Sequence, residues 1–197
     1  MPPPAERART LTTRGGTATV LAAGASDRSE PALHHVYQDG STVLLLPEDH
    51  PLLAKLELTP QGEVSAMIKL TDTAPVALRR PIRGLLWITG WLRVLDPQQT
   101  RQAAMEAVTH RCDERLLDLG YGSRLLYLHP VFAVLSDAEG TAWLTPADLS
   151  AAEADPASST LTRVEPHLSG HCPLWPASPT YRWRRHCSQM PAPDRSG

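Results

Sequence analysis

Two stretches near the middle of this chain alternate with a period of two, and they constrain its fold more than any other feature. From Glu63 to Thr71, Val64, Ala66, Ile68 and Leu70 fall on one side while Ser65, Met67, Lys69 and Thr71 fall on the other. That is the signature of a strand with one face on a core. From Leu85 to Leu95 one side, formed by Leu86, Ile88, Leu92 and Val94, is wholly apolar, and the opposite side carries Trp87, Thr89, Trp91 and Arg93. Both faces of this second strand are expected to be covered, with Gly90 at a bulge or bend.

The flanking sequence supplies the connections. Ala5 to Arg14 is rich in helix formers and stops at Gly15-Gly16, which suit a C-terminal cap, and Thr17 to Ala23 is β-branched and apolar, as in a strand. Ala32 to Gln38 and Ser41 to Leu46 flank Asp39-Gly40, the two-residue signal of a tight hairpin. Pro47 ends that strand, and Asp49 to Leu56 reads as a short helix with Pro51 in its first turn. Asp96-Pro97-Gln98-Gln99 resembles a capping box with proline at the first helical position, opening a helix to about Val108. A helical turn is expected from Asp113 to Leu119, a long strand from Arg124 to Ser136, a short one from Ala142 to Leu144, and a helix from Thr145 to about Asp155-Pro156. Strands in hairpin-like succession with helices at the edges predict an α+β fold built on an antiparallel barrel or sheet.

Charge and composition then exclude several classes. Nineteen basic residues against 21 acidic ones leave 197 residues at a formal −2, without the basic footprint of a nucleic-acid binder. No apolar run approaches the ~20 residues that span a bilayer, and the N-terminus has no signal-peptide core, so a cytoplasmic location is expected, with no membrane partner. The basic residues are arginines except for Lys55 and Lys69, which points to a coding bias and discounts arginine clusters. Cys112, Cys172 and Cys187 are too few and too far apart for a disulfide framework or a metal knuckle.

The chain is not uniform. Residues 1–156 form the patterned, mildly acidic body, whereas 157–197 are net basic, with five arginines against Glu165 and Asp194. From Cys172 to Gly197, Pro173, Pro176, Pro179, Pro191 and Pro193 interrupt any helix or central strand, and this segment is expected to be irregular and disordered.

Functional motifs are sparse. GxGxxG, Walker A, HExxH and GxSxG patterns are absent from the sequence. Arg79, Arg80 and Arg83 precede the tryptophan-rich strand; together they suit a phosphate or propionate, although a solvated loop is the commoner occurrence. Trp87 and Trp91 lie on one side of a strand, placed either to sandwich a flat cofactor or to pack at a core or dimer interface. His34 and His35 point to opposite faces and cannot share one ion. His50 and His129 are isolated. His167 and His171 have the i, i+4 spacing that brings two imidazoles to one helix face for haem iron or another metal, but Pro166 and Pro173 bracket them.

The runs from Ala5 to Val20, Asp39 to Leu46, Asp72 to Val76, Arg83 to Leu92 and Asp113 to Pro156 together resemble an actinobacterial branch of the FMN-binding split-barrel superfamily. That superfamily includes pyridoxamine-phosphate oxidases and haem-utilisation proteins, and Arg83 to Leu92 (Arg-Gly-Leu-Leu-Trp-Ile-Thr-Gly-Trp-Leu) is the most specific part of the likeness. The resemblance implies a six-stranded split barrel that forms a homodimer, with a small planar cofactor, haem or FMN, bound in clefts at the subunit interface. The phosphate-gripping arginine and lysine positions usual in flavin-binding oxidases are not recognisable, although Lys69 and Arg83 occupy suitable strands; with Arg79, Trp87 and Trp91, read from the residues themselves, they are the cofactor-binding candidates. Haem-utilisation relatives continue into a small C-terminal domain that opens with a histidine-bearing helix. Residues 157–171, with His167 and His171, match its start as the implied iron ligands, and the sequence after His171 departs from it as a shifted reading frame would.

Three functions follow as expectations. The first is a non-catalytic haem- or flavin-binding protein of iron and haem homeostasis. The second is a flavin-dependent oxidoreductase or haem-degrading oxygenase, in which the cofactor carries the chemistry. The third is a structural dimer that has lost its ligand site.

Overall fold

A computed structural model describes residues 1–25, 28–76, 78–110 and 113–156. Cys112, His167, His171 and the whole segment after Pro156 lie outside the described residues. None of the described helices is long and apolar enough to cross a membrane.

Helix α1 (Pro4–Arg14) starts on a proline, whose missing N–H is no loss there, and ends at Gly15 in the left-handed region, φ 68°. Strands β1 (Thr17–Ala22), β2 (Leu33–Val36) and β3 (Thr42–Pro47) follow, then helix α2 (Pro51–Leu58). His50 caps α2, its Nδ1 accepting the Leu52 N–H at 3.1 Å. The alternating segments become β4 (Glu63–Thr73) and β5 (Ile82–Val94), so Arg83 lies within a strand and not in the preceding turn. Helix α3 (Pro97–His110), a short 3₁₀ turn at Glu114–Asp118, strands β6 (Ser123–Asp137) and β7 (Gly140–Leu144), and helix α4 (Pro146–Ala151) complete the described chain. Helix α4 is shorter than its sequence suggests; it opens with a reciprocal capping box between Thr145 and Asp148.

All pairings between strands are antiparallel, in the order β1-β4-β5-β6-β3-β2, with β7 on β6. This is the expected α+β class, an antiparallel split barrel with peripheral helices. Strand β6 is the hub. One edge runs along β5 from Leu126 to Asp137; the other pairs with β3 from Ser123 to Leu128 and with β7 from Ala133 to Asp137. Between those two partners stands Pro130, which has no N–H to leave unpaired. Opposite it, the β5–β6 register shifts between Thr89 and Gly90, leaving Val131 as the extra residue. The bulge reverses the parity of β6: Leu126 and Leu128 face inward before it, Ala133 and Leu135 after it.

The apolar residues separate into two clusters. The inner face of the sheet, with α1, α2 and α4, encloses Leu44, Leu46, Ile68, Leu70, Leu86, Ile88, Leu92, Leu126 and Leu128. A second cluster lies on the outer face, where α3 packs Ala103 and Ala107 against Val43, Leu45, Leu95 and Leu125. Strand β3 is therefore covered on both sides, which is why Thr42 to Leu46 is buried without a break. Strand β5 is not. Its outer face was expected to be covered, but α3 reaches only its C-terminal end, and Trp91 is half exposed.

Candidate functional site

The uncovered part of the outer face is built by strand register. Lys69 stands opposite Trp87, Trp87 opposite Val134, and Val134 opposite Trp143, giving one cross-strand row over β4, β5, β6 and β7. The next row runs Met67, Thr89, Phe132, and beyond the bulge Ser65, Trp91, His129. Adjacent rows on one face lie about 7 Å apart, so their aromatic side chains fall within reach of one another. Phe132 and Trp143 are in ring contact, with centroids 5.0 Å apart and planes tilted by 32°. Trp143 is 72% exposed, Trp91 49%, and Trp87 half-buried between them. Indoles gathered on an open sheet face mark a binding or association surface, because leaving them wet forfeits the burial free energy of large apolar side chains.

The cations that the sequence suggested are dispersed around this face. Lys69 is half-buried beside Trp87 and makes no hydrogen bond or ion pair among the described residues. Arg79 and Arg80 are exposed in the β4–β5 connection. Arg83 is engaged: its Nη2 donates to Asp72 Oδ1 at 2.5 Å, and Arg14 Nη1 donates to Asp72 Oδ2 at 3.1 Å. Asp72 is buried, and Arg83 Nε is buried without a partner among the described residues. Two guanidiniums on one carboxylate leave this corner of the barrel with an excess positive charge.

A second concavity, of about 680 Å³, lies at the end of β5 between α3 and the β2–β3 hairpin. Tyr37, Asp39, Arg93, Gln99, Glu106 and Tyr127 contribute its polar groups. Arg93 stacks over the Tyr127 ring, 5.6 Å to the centroid, and its Nη1 donates to Gln99 Oε1 at 2.9 Å. In the expected capping box Gln99 would have turned back to Asp96. Asp96 Oδ1 does accept the Gln98 and Gln99 N–H groups, at 2.9 and 2.8 Å, but the Gln99 carboxamide oxygen is given to Arg93. Burial, and then the hydrogen-bonded Glu106 carboxylate, push the Tyr37 hydroxyl well above the usual tyrosine range. Edge-on contact with His35, at 4.8 Å between ring centroids, fixes the Tyr37 ring. The cleft residues are spread from Tyr37 to Tyr127, so no local motif announces them.

No protein-family model matches the chain, and no curated protein matches it in sequence. Solved structures do match. One chain aligns with a TM-score of 0.58 and 20% identity over 74% of this chain and 94% of its own length. A haem-binding protein from Mycobacterium smegmatis aligns with a TM-score of 0.56 and 20% identity, over 79% of this chain and 63% of that one. A protein of unknown function from Agrobacterium tumefaciens follows, at 0.53 and 17% identity, over 74% of this chain and 59% of that one. This chain thus spans less than two thirds of the last two structures, and at such identities the likeness is one of fold.

The fold is a split barrel. The predicted site residues of this split barrel fall into two groups. Lys69, Trp87 and Trp91 share the open outer face; Arg79 and Arg80 are exposed between strands, and Arg83 is bound to Asp72. Sequence reasoning missed Trp143 and Phe132, which the short β7 and the β6 bulge bring onto the face that bears Trp87. It also left His129 isolated, although the barrel places it opposite Trp91.

Proposed function

We propose that this split barrel binds a flat cofactor, haem ahead of flavin, and serves haem or iron homeostasis without itself catalysing a reaction. The observation that carries the reading is the open face that bears Trp87, Trp91, Trp143 and Phe132, with Lys69, which has no partner among the described residues, beside Trp87. A planar π system with an acidic edge satisfies both halves of that surface: the indoles stack on the ring system, and Lys69 takes a propionate or a phosphate. The likeness to a haem-binding protein supports haem as the first choice. Haem would supply an iron centre for histidine ligation. On this face the imidazole of His129 is available to it, and His167 and His171 remain the ligands proposed from sequence. The same apolar face is the proposed interface of a homodimer, which would cover the indoles and close the cofactor in a cleft.

Titration with haemin and, separately, with FMN tests this reading. Haemin is expected to give a saturable Soret band and to quench tryptophan fluorescence. Replacing Trp87 and Trp91 together with alanine is expected to weaken binding about tenfold or more, from roughly 0.5–1.5 kcal/mol per aromatic contact. Loss of the Soret position in His167→Ala or His171→Ala would assign the ligand to the C-terminal segment, and loss in His129→Ala to the barrel face. Saturable FMN binding with pyridine-nucleotide oxidation would favour the oxidoreductase instead. If the protein alters neither the haemin spectrum nor the FMN spectrum, the cofactor reading is removed.

A further inference from the structure

The cleft beneath α3 begins one row beyond Trp91 on the outer face of β5, where Arg93 stands opposite Tyr127. Arg93, like Arg9, forms no salt bridge among the described residues. Its guanidinium is held in place by two neutral groups, the Gln99 carboxamide and the Tyr127 ring. Among the described residues only Nη1 is engaged, which leaves the Nε and Nη2 hydrogens as an open fork in the cleft. A planar fork fixed in advance loses little entropy on receiving an oxyanion and matches a carboxylate in a bidentate geometry.

We propose that this cleft binds a small monocarboxylate through Arg93. Volume and charge define the ligand further. About 680 Å³ lies within the range of small-molecule sites. Glu106 and Asp39 line the same cleft, and Arg9, behind Tyr37, offsets only Asp39; a dianion such as a phosphate monoester therefore meets Glu106 with Arg93 as the one cation of the lining among the described residues, and a monoanion is preferred. Both acids are already engaged: Glu106 with the Tyr37 hydroxyl, and Asp39 Oδ1 with the Ser41 N–H and hydroxyl at 2.9 and 2.6 Å. Glu106 lies two helical turns beyond Gln99, about 10 Å along α3. The far end of the cleft is therefore rich in acceptors and suits a hydroxyl or ammonium at the end of the ligand away from its carboxylate.

The probes are 4-hydroxybenzoate, benzoate, phenyl phosphate and the neutral 4-hydroxybenzamide, followed by calorimetry and by the Arg93 and Tyr127 side-chain signals in NMR spectra of the full chain. 4-Hydroxybenzoate is expected to bind saturably, benzoate several-fold more weakly, and phenyl phosphate and the benzamide at least tenfold more weakly. Arg93→Gln should abolish the preference for 4-hydroxybenzoate over its amide, and Arg93→Lys should restore it in part, keeping the charge without the fork. Gln99→Ala provides a second variant that retains Arg93 but loosens it, and should weaken binding several-fold while thermal unfolding stays unchanged. The proposal fails if none of the acids binds saturably up to about 10 mM, a level corresponding to about 2.7 kcal/mol. It also fails if phenyl phosphate equals 4-hydroxybenzoate, or if a folded Arg93→Gln binds as the parent does.

Discussion

A β-carbon added at Gly90 would stand 1.9 Å from the His129 carbonyl oxygen, 2.8 Å from the carbonyl carbon and 2.9 Å from Pro130 Cα. All three are main-chain atoms of the neighbouring strand, so no side-chain rotation relieves the clash. Gly90 does not occupy the left-handed region, and an alanine could adopt its backbone; the cost of Gly90→Ala is steric. Close carbon–oxygen contacts between strands lie near ~3.3 Å, so β5 and β6 must part by more than about 1 Å at the bulge. Forced overpacking of this kind costs about 1–3 kcal/mol, and one or two weakened ladder bonds add about 1 kcal/mol each. Restricting the unfolded chain returns about 0.4–1 kcal/mol. The expected net is a loss of about 2–4 kcal/mol, or a fall in melting temperature of roughly 5–15 °C for a chain of this size. Thermal and urea unfolding followed by circular dichroism measure it. Gly62→Ala is the comparator: φ is +64° there and nothing lies within 4 Å, so only the left-handed penalty of about 1–2 kcal/mol applies. A Gly90→Ala protein melting within about 2 °C of the parent, or one more stable than Gly62→Ala, would refute the close-approach argument.

Asp72→Ala leaves Arg14 and Arg83 facing each other without their shared acceptor. Breaking a buried pair costs about 3–5 kcal/mol, reduced here to about 1–3 kcal/mol because both guanidiniums reach water, and urea midpoints should show it. Adding Arg83→Ala to that variant should recover part of the loss. Tyr37 ionises only above the normal tyrosine range, so its folded state holds a proton that the unfolded state releases near pH 10. Its contribution is complete below that pH and disappears as the pH climbs toward the folded value; alkaline denaturation of Tyr37→Phe should accordingly show a shallower decline than the parent. Trp143→Ala should lower monomer stability by only about 0.5–1.5 kcal/mol, the loss of its ring contact with Phe132, since the side chain is largely exposed, yet weaken self-association in sedimentation experiments if the tryptophan face is the dimer interface.

The strands were legible where one face meets a core and the other does not. The alternation in Glu63 to Thr71 and the Asp39-Gly40 turn placed β4 and the β2–β3 hairpin to within a few residues. Gly90 was recognisable as a bulge because glycine inside a patterned strand has few other uses. The open outer face was not legible: period-two spacing reports which side a residue takes, not whether a helix covers that side, and α3 covers β3 but stops short of Trp91. Cross-strand neighbours were equally hidden. Nothing near Trp87 in sequence indicates that Trp143 stands two strands away in the same row, and Gln99 reads locally as a capping residue although its carboxamide serves Arg93.

The exchange of partners along β6 also sets an order of assembly. Strands β4 and β5 are joined by a short connection and can pair as soon as residue 94 is made. Strand β3 has no sheet partner beyond the small β2 until β6 arrives to match Thr42 with Leu128. Loop-closure entropy for that pairing must be met before its contacts form, so the β3–β6 seam belongs to the slow, late part of folding. Until then Val43 to Leu46, an unbroken aliphatic run, has no β6 to pair with, and this hairpin is the segment on which a chaperone or an aggregating neighbour would compete with the native strand.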